Sequence, residues 1–154
     1  MPKLSKSVES VHLRSAKAYE EFLFALPDSF PSIEFSTLTL IRTSADTARI
    51  EGDLNFARET VLRVRQFVDF RERVIRQYSY ELYQRGEKVW WYDPWPHLSS
   101  KSLASTHPHH KHIGPDIKHH CVVALGPSFE RPNLPILIQE IEKMLPASEQ
   151  TPRA

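Results

Sequence analysis

The spacing of hydrophobic and polar positions changes period twice along the chain. From about Ser7 to Leu26, the residues Val8, Val11, Ala18, Phe22 and Leu26 recur near helical spacing, with Glu9, Arg14, Lys17 and Glu21 largely on the other side. This predicts a helix over 7–26, ended by Pro27, with a turn at Asp28–Pro31. The period then drops to two. Ile33–Thr43 is rich in β-branched residues, and in Ala48–Phe56 the residues Ala48, Ile50, Gly52, Leu54 and Phe56 alternate with Arg49, Glu51 and Asp53. Thr60–Phe70 and Val74–Gln84 alternate in the same way, and Arg85-Gly86-Glu87 turns the chain into a strand over Lys88–Tyr92.

Pro94 and Pro96 interrupt the strand pattern, and residues 93–118 read as one long Pro/His/Ser connection. His119–Leu125 is a last strand. Helical spacing returns in Leu134, Leu137, Ile138, Ile141, Met144 and Leu145, with Asn133 as the expected N-cap and Pro135 in the first turn. The expected architecture is α+β: residues 1–154 form a single domain, an antiparallel β-meander of about six strands over 33–125. An N-terminal helix (7–26) and a C-terminal helix (133–145) pack on one face, and a polar tail runs over 146–154.

Composition narrows the function classes. A length of 154 residues allows one domain with a real core. Lys+Arg is 20 against Asp+Glu 19, so no global field draws the chain onto nucleic acid, and any such binding needs a local patch. The arginines Arg63, Arg65, Arg71, Arg73 and Arg76 read as an ion-paired solvated face, with a modest RNA-binding strip as the sharper alternative. Only 4 glycines are present, and no phosphate-loop, dinucleotide or serine-hydrolase motif occurs. The single cysteine, Cys121, sits among apolar residues and is expected to be a buried structural thiol. One thiol makes no internal disulfide, and neither a signal peptide nor a membrane span is evident, so the expected location is cytoplasmic.

Histidine is the informative count. Of 8 histidines, His107, His109, His110, His112, His119 and His120 crowd into one stretch. Imidazole titrates near neutral pH, so such a stretch can hold both an acid and a base. In an extended segment His110 and His112 share one face, and Lys111 supplies a fixed charge for a phosphate. Two histidines with Asp93 or Asp116 form an alternative metal site, and a solvated surface loop is the third reading. Upstream, Trp90-Trp91-Tyr92-Asp93-Pro94-Trp95-Pro96-His97 is dense in aromatics. Trp90 or Trp91 is expected in the core and another tryptophan exposed or partner-binding, while Asp93 and His97 form a candidate hydrogen-bonded pair. Tyr78 and Tyr80 share a strand face, as sheet packing with hydroxyls at the rim or as phosphate-orienting groups.

Taken in order, Tyr78-Ser79-Tyr80, Trp91-Tyr92-Asp93 with Pro96-His97, His107-Pro108-His109-His110-Lys111-His112 and a late amphipathic helix resemble the TumE family of small prokaryotic toxins of toxin–antitoxin pairs. The resemblance covers roughly residues 33–145. It implies growth inhibition and a small, DNA-binding antitoxin as partner. The reading favoured at this point is a metal-independent ribonuclease with His109, His110, His112, Tyr80, Asp93 and His97 as catalytic candidates. Lys111, Tyr78, Trp95 and Arg76 are the substrate-binding candidates. No cofactor is expected, with a divalent metal as the alternative. A non-catalytic protein-binding module and a histidine-ligated metalloenzyme are the competing functions, and a homodimer is the competing assembly.

Overall fold

The computed structural model describes residues 10–94, 110–113, 121–123 and 127–146. A short 3₁₀ turn, Ser10–Arg14, leads into helix α1, Ala16–Ser29. Eight strands follow: β1 Phe35–Ser36, β2 Thr39–Arg42, β3 Thr47–Phe56, β4 Thr60–Asp69, β5 Val74–Gln84, β6 Glu87–Asp93, β7 His110–Ile113 and β8 Cys121–Val123. Helix α2, Leu134–Met144, closes the order. The strands make one antiparallel sheet in the order β1-β3-β4-β5-β6-β7-β8, with β2 also paired to β3. The expected α+β meander with a helix at each end is therefore present. Among the described residues no helix is long and apolar enough to cross a membrane.

Local chemistry explains where the elements differ from expectation. The N-terminal helix starts at Ala16 because the Ser15 side chain accepts from the Ala18 amide at 3.0 Å, the geometry of an N-cap. It continues through Pro27 to Ser29. Proline lacks only its own amide, and in this last turn the Phe30 amide still closes on the Leu26 carbonyl at 2.8 Å. Its buried residues are Ala16, Ala18, Tyr19, Leu23 and Leu26, so the expected Ala18 and Leu26 are inside, Phe22 packs only partly buried against the core, and Val11 stays exposed. Expected position Val8 lies outside the described residues.

The single strand expected over 33–43 is broken into β1 and β2 opposite Gly52. There φ is +141°, and a Cβ would stand 2.5 Å from the Thr37 carbonyl oxygen and 2.8 Å from Leu38 Cα. The link between β1 and β2 crosses directly over this glycine, and Thr37 bonds Asp53 through both its amide and its hydroxyl. Asn133 occupies the N-cap position of α2, but its side chain does not cap the helix. Its backbone is already helical there, and the amide is drawn to Ser128 and to the sheet instead. Met144, expected on the inner stripe, is exposed at the helix end.

The largest departure concerns the connection expected over 93–118. His110–Ile113 is a strand, paired antiparallel to β6 with Asp93 opposite His110, Tyr92 opposite Lys111 and Trp91 opposite His112. The intervening segment is thus shorter than its Pro/His/Ser composition suggests, because the His-Lys-His alternation fits a sheet as well as a loop.

Both helices lie on one face of the sheet. The core there is built from Ile50 and Leu54 of β3, Leu62 and Val64 of β4, Tyr78, Tyr80 and Leu82 of β5, and Trp90 and Tyr92 of β6. A buried polar chain crosses it. The Tyr19 hydroxyl donates to Gln66 Oε1 at 2.6 Å, Gln66 Nε2 donates to the Tyr80 hydroxyl at 2.6 Å, and Asn133 Nδ2 donates to the same hydroxyl at 3.0 Å. This chain ties α1, the centre of the sheet and the start of α2 together, and every member is buried.

Two stability tests follow. Tyr80→Phe removes the acceptor shared by Gln66 and Asn133 and is expected to cost about 2 kcal/mol by chemical denaturation, whereas Arg76→Ala, which breaks an exposed ion pair, costs under about 1 kcal/mol. Equal losses would contradict the network. Gly52→Ala forces a side chain into both an unfavourable φ and a backbone contact, so a loss of about 2 kcal/mol or more is expected in the same assay.

Candidate functional site

The pairing of β6 with β7 brings the candidate residues together on the face away from the helices. Side chains alternate, so Trp91 and Asp93 of β6 share that face with His110 and His112 of β7. His112 Nε2 lies 3.1 Å from Asp93 Oδ2, a buried pair whose side chains are 5% and 2% exposed. The Trp91 ring stacks on the His112 imidazole, with centroids 4.6 Å apart and planes 20° from parallel. Trp91 Nε1 donates to Ser79 Oγ at 3.0 Å, which fixes the indole from the β5 side. His110, directly opposite Asp93 in register, is fully buried. The imidazole of His112 is therefore fixed at its edge by a carboxylate and on its face by an indole. This is how a protein sets which ring nitrogen carries a proton and where the other points.

The same row continues across the sheet. Lys88 Nζ sits 5.0 Å from the centre of the Trp91 ring, 5.7 Å from the centre of the Tyr83 ring and 3.1 Å from Glu81 Oε2. Arg63 covers Tyr83 at 5.1 Å and pairs with Asp53 at 3.4 Å. Burial pushes the Glu81 carboxyl up, but the Tyr83 hydroxyl and the Lys88 ammonium outweigh it and leave the group below its usual range. The expectation of an ion-paired, solvated face for Arg63 is met, and Arg76 is likewise paired, with Asp69 at 3.1 Å.

The other candidates lie elsewhere. Tyr78 and Tyr80 stack on each other on the helix side, with ring centres 4.9 Å apart, and both are buried rather than at a rim. Burial pushes both phenols up, so they stay protonated. Lys111 also faces the helices, where it pairs with Glu140 of α2 and stands over the rings of Trp90 and Tyr92 at 5.3 and 5.1 Å. The Tyr92 hydroxyl donates to the other oxygen of Glu140 at 2.8 Å. Trp90 is the core tryptophan expected from the sequence. Arg76 lies on β5 beyond Tyr80, the last β5 residue in the ladder with β6. His97, Trp95 and His109, together with His107 and Asp116, lie outside the described residues, as does the side chain of Cys121. Among the described residues no group of three or more His, Cys, Asp or Glu side chains is arranged to hold a metal ion.

Two participants, Ser79 and Glu140, carry no chemical signal in the sequence. Ser79 was passed over between two tyrosines, although strict alternation puts it on the Trp91 side of the sheet. Nothing local in the sequence marks Glu140 as the partner of Lys111, 29 residues away.

Comparison with known proteins adds the family. No curated protein and no solved structure matches the chain. A family model described as Toxin TumE matches residues 23–145, a span from within α1 to the end of α2 that takes in the whole sheet and the Asp93–His112 pair. Well over half of the sequence is covered, and the chain belongs to the TumE toxin family, which implies a toxin of a toxin–antitoxin system.

Proposed function

We propose that this toxin is a ribonuclease whose proton-transfer group is His112, held by Asp93, with His110 as the second imidazole. The observation that carries the reading is the buried 3.1 Å contact between His112 Nε2 and Asp93 Oδ2. A carboxylate on one ring nitrogen orients the imidazole, sets its tautomer and stabilises the imidazolium that forms when the ring takes a proton. His110 and His112 project from the same face of β7 about 7 Å apart along the strand, a separation that suits groups acting on opposite sides of one phosphodiester.

In this mechanism one imidazole takes the proton of the ribose 2′-hydroxyl as that oxygen attacks the adjacent phosphorus. The other, as imidazolium, gives a proton to the departing 5′-oxygen. The bond from O2′ to phosphorus forms as the bond to O5′ breaks, leaving a 2′,3′-cyclic phosphate and a free 5′-hydroxyl. Transfer between two imidazoles needs no metal. Lys111, Tyr78 and Tyr80 act from the other side of the sheet, where they hold β5, β6 and β7 in place. Their substitution lowers activity through stability.

Family membership also supports a dedicated protein partner, a small antitoxin that silences the toxin. The row from exposed Arg63 to half-buried Lys88 and Trp91 lies beside the pair and offers such a partner a mixed cation–aromatic surface.

Asp93→Asn keeps the shape of the side chain and removes its charge, and His112→Ala removes the proton-transfer group. Each is expected to abolish growth inhibition on induction. Each is also expected to lower RNA cleavage by about 10²-fold or more while the far-ultraviolet circular dichroism remains that of the parent. Chelation by EDTA is expected to leave parent cleavage unchanged, with a 2′,3′-cyclic phosphate on the product. Folded variants that inhibit growth as the parent does would overturn the assignment, and loss of cleavage with EDTA would overturn its metal independence.

A further inference from the structure

Two hairpin tips stand side by side at the end of the sheet remote from Asp93. The turn from β3 to β4 places Arg58 at φ +58° and Glu59 at φ +55°, and the turn from β5 to β6 places Arg85 at φ +51° and Gly86 at φ +81°. Successive left-handed residues are the signature of the tight hairpin turn whose backbone follows the twist of the strands, a turn that normally uses Asn or Gly at its first left-handed position. Both tips instead carry arginine there. A Cβ at positive φ costs about 1–2 kcal/mol, so each tip holds its guanidinium against a local conformational penalty.

The tips are joined, because the Arg85 amide donates to the Glu59 carbonyl at 3.1 Å. Between them is an open pocket of about 480 Å³ lined by Arg58, Gln84, Arg85 and Glu87. Two guanidinium groups and an amide against one carboxylate leave its lining net positive in a protein whose net formal charge is only +1. Guanidinium is the group best matched to phosphate oxygens, through its planar fork of donors.

We infer that the pocket between the two hairpin tips is a phosphate-binding exosite that holds the backbone of a single-stranded RNA whose reacting phosphodiester lies at Asp93 and His112. The inference rests on the ribonuclease reading for its choice of ligand and on the tips alone for its location. From Arg85 to Asp93 the chain runs along β6, about 26 Å at strand rise. The face between them carries Lys88, Tyr83 and Trp91, the mixture of cation and aromatic that a single strand can follow. The exosite therefore favours long substrates over short ones.

The test uses Arg58→Gly/Arg85→Gly. Glycine deletes both guanidinium groups and also relieves the left-handed strain, so the variant is expected to be as stable as the parent or more so, and lost binding then reports the lost groups. The probe is a 2′-O-methyl oligoribonucleotide of about twelve nucleotides, within the usual span of single-strand sites, which has no 2′-hydroxyl to attack. The parent is expected to bind it with strong salt dependence. The double variant is expected to bind at least about 5-fold more weakly, with a salt slope shallower by about 1.4 for two lost phosphate contacts.

Unchanged affinity and slope in the double variant, or no binding by the parent, would overturn the exosite. Inorganic phosphate that protects the parent against thermal unfolding, with no oligonucleotide binding, would make the pocket a free-anion site and overturn the RNA assignment. Weakened binding in the double variant together with undamaged RNA cleavage by His112→Ala would keep the exosite and sink only the Asp93–His112 mechanism.

Discussion

The register between β6 and β7 is the constraint on which the site depends. It puts Trp91 opposite His112 and Asp93 opposite His110, and both faces of the sheet read that one alignment. On one side it brings the carboxylate and the indole onto the imidazole of His112. On the other it places Lys111 beside Tyr92 and beneath Glu140 of α2, where ion pair and hydrogen bond fasten the C-terminal helix to the same two strands. A slip of one residue would exchange the faces, turning Lys111 toward Asp93 and the histidines into the helix layer. The charged contact to Glu140 and the buried pair at His112 therefore specify the same register from opposite sides.

The two faces divide the work. The helix face is closed by large apolar side chains and by the polar chain from Tyr19 through Gln66 and Tyr80 to Asn133, which makes it the rigid support. The other face carries Asp93, His110, His112 and Trp91, with Lys88 and Tyr83 beside them. Phenols that looked chemical in the sequence, Tyr78 and Tyr80, belong to the support, and burial keeps them protonated. This partition leaves the Asp93–His112 pair on a surface whose back is fixed by packing.

Much of the fold was legible because period-two alternation is a direct consequence of a sheet with one covered face. β3, β4 and β5 fall almost where the alternation of Ala48–Phe56, Thr60–Phe70 and Val74–Gln84 puts them. The break between β1 and β2 was hidden, since it depends on Gly52 lacking a Cβ where the Thr37–Leu38 link crosses, a tertiary contact that no local pattern carries. The strand at His110–Ile113 was hidden for a different reason. Histidine and lysine carry no apolar signal, yet His110 and His112 are buried, so the alternation was present in the wrong residue types. Asp93 and His112 could be named as candidates from their chemistry, but their pairing needed the register. Arg85 was legible only as a turn residue and Arg58 not at all, because a left-handed arginine looks like any other arginine until the backbone is seen.

The central claim is that Asp93 fixes the proton of His112, and nitrogen-15 spectroscopy of the imidazole tests it directly. Neutral His112 is expected to carry its proton on Nε2, donated to Asp93 and protected from exchange with water. Asp93→Asn is expected to shift that proton's resonance and speed its exchange. A neutral His112 protonated on Nδ1, or an Nε2 signal that Asp93→Asn leaves unchanged, would contradict it.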